Sequence, residues 1–198
     1  VLRRARPTDA HAFAEAVGAS LAHLRRWMPW AVPVAAEAPV QRDRLVMADA
    51  SWADGTDYEF AILPADERGI IGGCGLMRRI GTGAIEIGYW VHVDHTRSGH
   101  ATGAARALTD AAWTLPDVDR VEIHCDEANR ASAAVPARLG YRLDRIESDE
   151  TLAPPHSGRT MIWIADRPGG VRTASAPGDR AARRSPPDPA PSSRDPAP

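Results

Sequence analysis

Residues 85–108 read IEIGYWVHVDHTRSGHATGAARAL. A strand-like run stops, a polar turn carrying Gly99 follows, and an alanine-rich helix begins. From Gly99 onward, Ala101, Ala104, Ala105, Leu108, Ala111, Ala112 and Leu115 recur at helical spacing. They form one apolar stripe of small residues that can pack close to a sheet. Such a helix opens with unpaired backbone N–H groups and the positive end of its dipole. A glycine-containing turn at that point is either an ordinary strand-to-helix connection or a cradle for a phosphate. Two other phosphate motifs fail. The chain has no Gly-Lys-Ser/Thr tripeptide, and GGCGLM (72–77) lies inside a strand-like run and is followed by Arg78 where Gly-x-Gly-x-x-Gly needs its last glycine.

Working outward, VLRRARP at the start suits an edge strand that ends at Pro7. A helix capped by Thr8 or Asp9 follows. A second helix with Ser20 as its cap places Leu21, Leu24, Trp27 and Met28 on one face and stops before Pro29. A third helix runs through VQRDRLVMADASWAD to Gly55. The period then changes from helical to alternating. YEFAILPA, GIIGGCGLMRRI and AIEIGYWVHV are separated by DERG and GTGA, which have the turn chemistry of antiparallel hairpins. After the opening helix come the strand RVEIHCD, the helix NRASAAVPARLG ending at Gly140, and the strands YRLDRIE and RTMIWIA. The order β, α, α, α, β, β, β, α, β, α, β, β predicts a mixed sheet with helices on its faces, an α+β arrangement.

Composition narrows the function classes. The 24 Lys+Arg nearly balance the 26 Asp+Glu, so no basic footprint argues for nucleic acid. Residues 1–165 carry nearly all the large apolar side chains. From Asp166 the chain turns to Pro, Ala, Ser and charge, so 166–198 is expected to be a disordered tail. Cys74 and Cys125 each sit in a strand-like run, at a spacing that suggests neither a disulfide nor a metal site. No apolar run reaches membrane-spanning length and no charged-then-apolar leader opens the sequence, so a cytoplasmic protein without membrane contact is expected.

Three segments, IEIGYWV, HTRSGHATGAARAL and VEIHCDEANRASAAVPARLGY, together resemble the GNAT acyltransferases, in their RimJ/RimL-like branch. The resemblance spans Val1 to Ala165, including LRRWMPWA (24–31). It implies a GNAT fold: a mixed, mostly antiparallel sheet flanked by helices, with splayed central strands. It also implies acetyl-CoA as acyl donor, no metal, and direct transfer to an amine without a covalent enzyme intermediate. The acceptor would be a protein N-terminus or a small-molecule amine, and the protein a monomer or homodimer. The alternative within the same fold is a module that senses acyl-CoA without turnover.

In this family a Gln/Arg-x-x-Gly-x-Gly/Ala motif grips the coenzyme pyrophosphate through backbone amides at a helix start. Here it reads Thr96-Arg97-Ser98-Gly99-His100-Ala101, with Thr96 in place of Gln/Arg. The resemblance thus implies cofactor contacts from Arg97, Ser98, Gly99, His100, Ala101 and Thr102. It implies further main-chain contacts from Trp90, Val91 and Val93, where the preceding strand splays from the next. Asn129 is a natural N-cap. By resemblance it also contacts the pantetheine arm, and Ser132 protonates the departing thiolate. Pro136 leaves the Ser132 carbonyl without its helical donor, which predicts a bend there.

Strand alternation puts Ile85, Ile87, Tyr89 and Val91 on one face and Glu86, Gly88, Trp90 and His92 on the other. Desolvation would raise the pKa of a Glu86 carboxyl set among apolar neighbours. By resemblance to the histone acetyltransferase branch, Glu86 is a general base acting through water. A structural ion pair or a solvent-facing position is the other reading. Trp27, Met28 and Trp30 are either core residues or, by resemblance, the lining of the acceptor cleft. His92, His95 and His100 cluster without a compact metal spacing. The absence of Gly-x-Ser-x-Gly argues against a serine hydrolase.

Overall fold

The computed structural model describes residues 1–151 and 155–169. Strands β1 (Leu2–Arg4), β2 (Asp57–Ile62), β3 (Gly72–Met77), β4 (Ala84–Val91), β5 (Arg120–Asp126), β6 (Arg142–Ser148) and β7 (Arg159–Asp166) form one sheet in the order β1-β2-β3-β4-β5-β7-β6. Every neighbouring pair is antiparallel except β4 and β5. This is the mixed, mostly antiparallel α+β fold expected from the sequence.

The helices are α1 (Ala10–Leu24), α2 (Ala38–Asp54), α3 (His100–Ala112) and α4 (Arg130–Arg138). One helix, α1, runs through Ser20, where the sequence predicts a second helix to begin, and ends at Leu24, before Trp27 and Met28. No proline or left-handed residue interrupts it, and Gly18 costs a helix only about 1 kcal/mol. Ser20 therefore caps nothing. It is fully buried within α1, and its Oγ accepts a hydrogen bond from the Val93 N–H (3.1 Å). The expected stop of α2 at Gly55 is present, with that residue left-handed at φ 70°.

The alternation in β4 and β5 sorts side chains to two faces. Ile85, Ile87, Val121 and Ile123 pack with Ala104, Ala105, Leu108 and Ala112 of α3 and with Val135 of α4. On the other face Phe13, Ala16 and Leu45 of α1 and α2 pack with Ala61, Leu63 and Ile70, and Trp90 joins them at the edge. The small-residue stripe of α3 is the reason the helix lies close against the sheet.

The end of β7 is tied to the end of α3. The Arg167 guanidinium donates to the carbonyls of Trp113 (2.7 Å), Val118 (2.8 Å) and Leu115. Of the tail expected from Asp166, residues 166–169 are described, and the remainder lies outside the described residues.

Candidate active site

The register between β4 and β5 covers only Ala84–Arg120, Ile85–Val121 and Glu86–Glu122. Beyond Glu86 the two strands separate. β4 stays paired with β3 up to Gly72–Val91, and His92 N–H donates to the Ile71 carbonyl (2.8 Å). An antiparallel ladder alternates its hydrogen-bonded pairs. That bond therefore turns the main-chain groups of Gly88 and Trp90 toward β3, and those of Tyr89 and Val91 toward the gap. A wedge results, walled by β4 and β5.

Of the three residues predicted to offer main chain to the cofactor, Val91 faces the wedge. Trp90 faces Gly73 instead. Val93 donates its N–H to Ser20, and its carbonyl accepts from the Thr96 N–H (3.4 Å) and Oγ1 (3.0 Å). The sequence missed Tyr89, which shares the wedge side with Val91.

At the mouth of the wedge the chain passes through Arg97 (φ 61°) and Gly99 (φ 81°) into α3. The first intrahelical bond runs from Gly103 N–H to the Gly99 carbonyl (2.8 Å). The amides of His100, Ala101 and Thr102, one turn earlier, are thus free of helical partners. A Cβ placed on Gly99 or Gly103 would meet nothing within 4 Å, so the turn is open. Consecutive amides in such a turn form a concavity suited to an anion. Thr96, the departing motif residue, folds its hydroxyl back onto Val93. The histidines at this rim stand ring to ring, 5.5 Å from His92 to His95 and 6.1 Å from His95 to His100. Among the described residues no group of His, Cys, Asp or Glu could hold a metal.

Helix α4 begins at Asn129, whose Oδ1 accepts from the Ser132 N–H (3.1 Å), the expected cap. Ser132 then meets β4 across the wedge. The Tyr89 hydroxyl lies 3.1 Å from the Ser132 carbonyl oxygen and 3.1 Å from its Oγ. Burial pushes the Tyr89 phenol well up, so it stays protonated. Burial likewise pushes the thiol of Cys74 up to about 12 and that of Cys125 up to about 11, which leaves neither as a thiolate nucleophile near neutrality.

The opposite face of β4 and β5 carries charge. Both oxygens of Glu86 accept from Arg79, at 2.8 Å from Nε and 2.7 Å from the terminal nitrogen. The Glu86 side chain is 8% exposed and that of Arg79 62%. On β5, Glu122 (2% exposed) accepts from Arg120 Nε (2.7 Å) and from His124 Nε2 (2.6 Å). His124 Nδ1 lies 4.0 Å from Glu86. Glu122 and His124 were missed because RVEIHCD alternates like an ordinary strand with solvated polar positions, and Arg79 because its pairing with Glu86 crosses the connection between β3 and β4. The available signal was that Glu86 and Glu122 fall on the same face once the two strands run parallel.

The segment between α1 and α2 borders this face. Trp30, 42% exposed, stands edge-on to Trp90 at 6.1 Å. Trp27 stacks on His156 of the β6–β7 connection at 5.9 Å, and Met28 is half-buried.

The acetyltransferase (GNAT) domain family matches residues 1–142. No curated protein matches the chain. Among solved structures, the ribosomal-protein-S5-alanine acetyltransferase from Vibrio fischeri is 18% identical, with a TM-score of 0.76 over 84% of this chain and 92% of its own. RimJ of Mycobacterium smegmatis, in complex with CoA-disulfide, is 23% identical, with a TM-score of 0.75 over 83% and 80%. The microcin C7 self-immunity acetyltransferase MccE, in complex with acetyl-CoA and AMP, is 16% identical, with a TM-score of 0.75 over 83% and 91%. This chain belongs to the GNAT acetyltransferase family.

Proposed function

We propose that the chain moves acetyl from acetyl-CoA directly to a primary amine, and that the wedge between β4 and β5 holds the donor. The observation that carries this reading is the coincidence of two features at one place. The strands part so that Val91 and Tyr89 present main chain to the gap, and the α3 turn presents free amides at its mouth. The donor supplies an activated acetyl group. Arg97 to Thr102 hold its pyrophosphate, Val91 N–H polarises its carbonyl, and Asn129 lies along its pantetheine arm.

Ser132 is the proton source for the leaving sulfur, oriented by Tyr89. Neither buried cysteine is a thiolate, which favours direct transfer over a covalent enzyme intermediate. Glu86 lies on the face away from α3 and α4, where the acceptor would approach. Acting as base through water, it would have to share oxygens that already accept from Arg79. Trp27, Met28 and Trp30 border that approach.

One of the similar structures is named for a ribosomal protein and one for self-immunity to microcin C7. A peptide N-terminus and a small amine are accordingly the acceptors to screen. Incubating the protein with acetyl-CoA and each class in turn, with thiol release as readout, tests the proposal. Release that depends on one amine class supports it. A non-catalytic acyl-CoA sensor would bind acetyl-CoA and release no thiol with any amine.

A further inference from the structure

We propose that the acceptor's proton is taken by His124 Nδ1, with Glu122 fixing the imidazole tautomer and Glu86 orienting the ammonium. The inference rests on the amine-acetylation reading above and assigns a part of that site which neither the motif nor the family match supplies.

Glu122 is almost wholly buried and hydrogen-bonded to two donors. Burial alone would raise its pKa. The hydrogen bond from His124, with the charge and hydrogen bond of Arg120, outweighs burial and holds it below the ordinary carboxylate range. Glu122 is therefore a carboxylate, which can only accept, so His124 Nε2 must be the donor across their 2.6 Å contact. A neutral imidazole protonated at Nε2 carries its lone pair on Nδ1. This is the logic by which a buried carboxylate sets the tautomer of a catalytic histidine.

The free nitrogen faces the right place. Paired register ends at Glu86–Glu122, so His124 is two residues into the open part of the wedge. The β4 residue level with it is Gly88, which offers no side chain. Nδ1 lies 4.0 Å from a Glu86 oxygen, and the His124 side chain is 13% exposed. The charged groups facing it are Glu86 on β4, Arg79 beyond β3, Glu122 and Arg120 on β5, and Arg145 of β6, which interacts with Glu122. Its partner on β7, Ile162, brings no charge. Both oxygens of Glu86 are already engaged in a two-pronged ion pair with Arg79. Of the groups at this spot, only imidazole ordinarily changes charge between about pH 5 and 8.

The step balances. The ammonium loses one proton to Nδ1, and the neutral nitrogen attacks the acetyl carbon. A C–N bond forms and the C–S bond breaks. The nitrogen sheds its second surplus proton to solvent, and the sulfur takes one from Ser132, which solvent restores through Tyr89. His124 returns its proton to solvent, and one proton is released in total.

Three variants test this: His124→Gln, Glu86→Gln and Glu122→Gln, each checked for retained stabilisation by acetyl-CoA. His124→Gln is expected to lower kcat by about 10²–10⁴-fold and to abolish the acid limb of the kcat/KM profile, with KM for acetyl-CoA unchanged. Glu86→Gln is expected to raise KM for the amine and keep that limb. A His124→Gln variant that keeps both kcat and the acid limb, while Glu86→Gln loses them, overturns the assignment. A second readout is independent of turnover. In ¹⁵N-labelled protein, His124 should show a protonated Nε2 and a bare Nδ1 near neutral pH, shifting in Glu122→Gln. A protonated Nδ1 overturns the proposal even if the protein is an active acetyltransferase. Failure of every amine with the wild type would instead refute the amine-acetylation reading itself.

Discussion

The Tyr89 hydroxyl on β4 stands 3.1 Å from the carbonyl oxygen of Ser132 on α4, the carbonyl that Pro136 leaves without a helical donor. A residue with no N–H at one end of the helix is thus answered by a side chain from across the wedge. The same hydroxyl lies 3.1 Å from Ser132 Oγ, so one contact both completes α4 and sets the serine's direction.

Tyr89→Phe should therefore destabilise the protein by about 1–3 kcal/mol in denaturant unfolding, the cost of an unsatisfied half-buried carbonyl. In a Pro136→Ala background the helix regains its own donor, and the penalty for Tyr89→Phe should shrink. Equal penalties in the two backgrounds would show that the hydroxyl does not serve this carbonyl.

Ser20 links α1 to the turn that follows β4 through the Val93 N–H. Removing the hydroxyl leaves a buried donor unpaired, so Ser20→Ala should cost about 1–3 kcal/mol. Because Val93 leads into the turn that opens α3, where the proposed site holds the pyrophosphate, the KM for acetyl-CoA should rise more than kcat falls. Steady-state kinetics at saturating amine separates the two parameters.

Two glycines should resist a side chain for different reasons and to different degrees. A Cβ on Gly72 would lie 2.4 Å from the Trp90 carbonyl oxygen, a backbone atom that cannot step aside. Gly72→Ala should thus cost about 2 kcal/mol or more and disturb the wedge wall. Gly99→Ala meets open space but keeps a left-handed φ of 81°, so it should cost about 1–2 kcal/mol through the backbone alone. Thermal unfolding of the pair ranks them.

Glu122 has a lowered pKa in the folded state, so it binds its proton more weakly there than in the unfolded chain. Its stabilising contribution is present above the unfolded carboxylate pKa of about 4.3 and fades as pH falls through the folded value. Glu122→Gln should be less stable than wild type at neutral pH, with the gap narrowing as the solution is acidified below about pH 4.5. Unfolding curves across that range would show convergence. A constant gap would mean that the side chain stabilises by packing alone.

Most of the sheet was legible because its strands alternate, and RVEIHCD matched β5 at both ends. The start of α3 was legible because Gly99 and the alanine stripe mark where the helix begins and which face it buries. The single helix α1 was not, since a serine reads as a cap only until the fold buries it. The direction of each main-chain group was not legible either. Trp90 and Val93 point away from the wedge because of register and of Ser20, which are long-range facts. The Glu86–Arg79 pair and the Glu122–His124 pair also depend on strand adjacency that local spacing does not carry.

Donor binding in the wedge is the central claim, and a charge placed in the turn tests it most directly. Ser98 is exposed just ahead of α3, and an acidic side chain there favours the helix dipole by about 0.3–1 kcal/mol. Ser98→Asp should consequently fold as well as wild type while repelling a pyrophosphate. Thermal unfolding with and without acetyl-CoA, at about 100 times the wild-type dissociation constant, should show roughly 2.7 kcal/mol of stabilisation for wild type and almost none for Ser98→Asp. Equal stabilisation of both proteins, or none of either, would contradict the account.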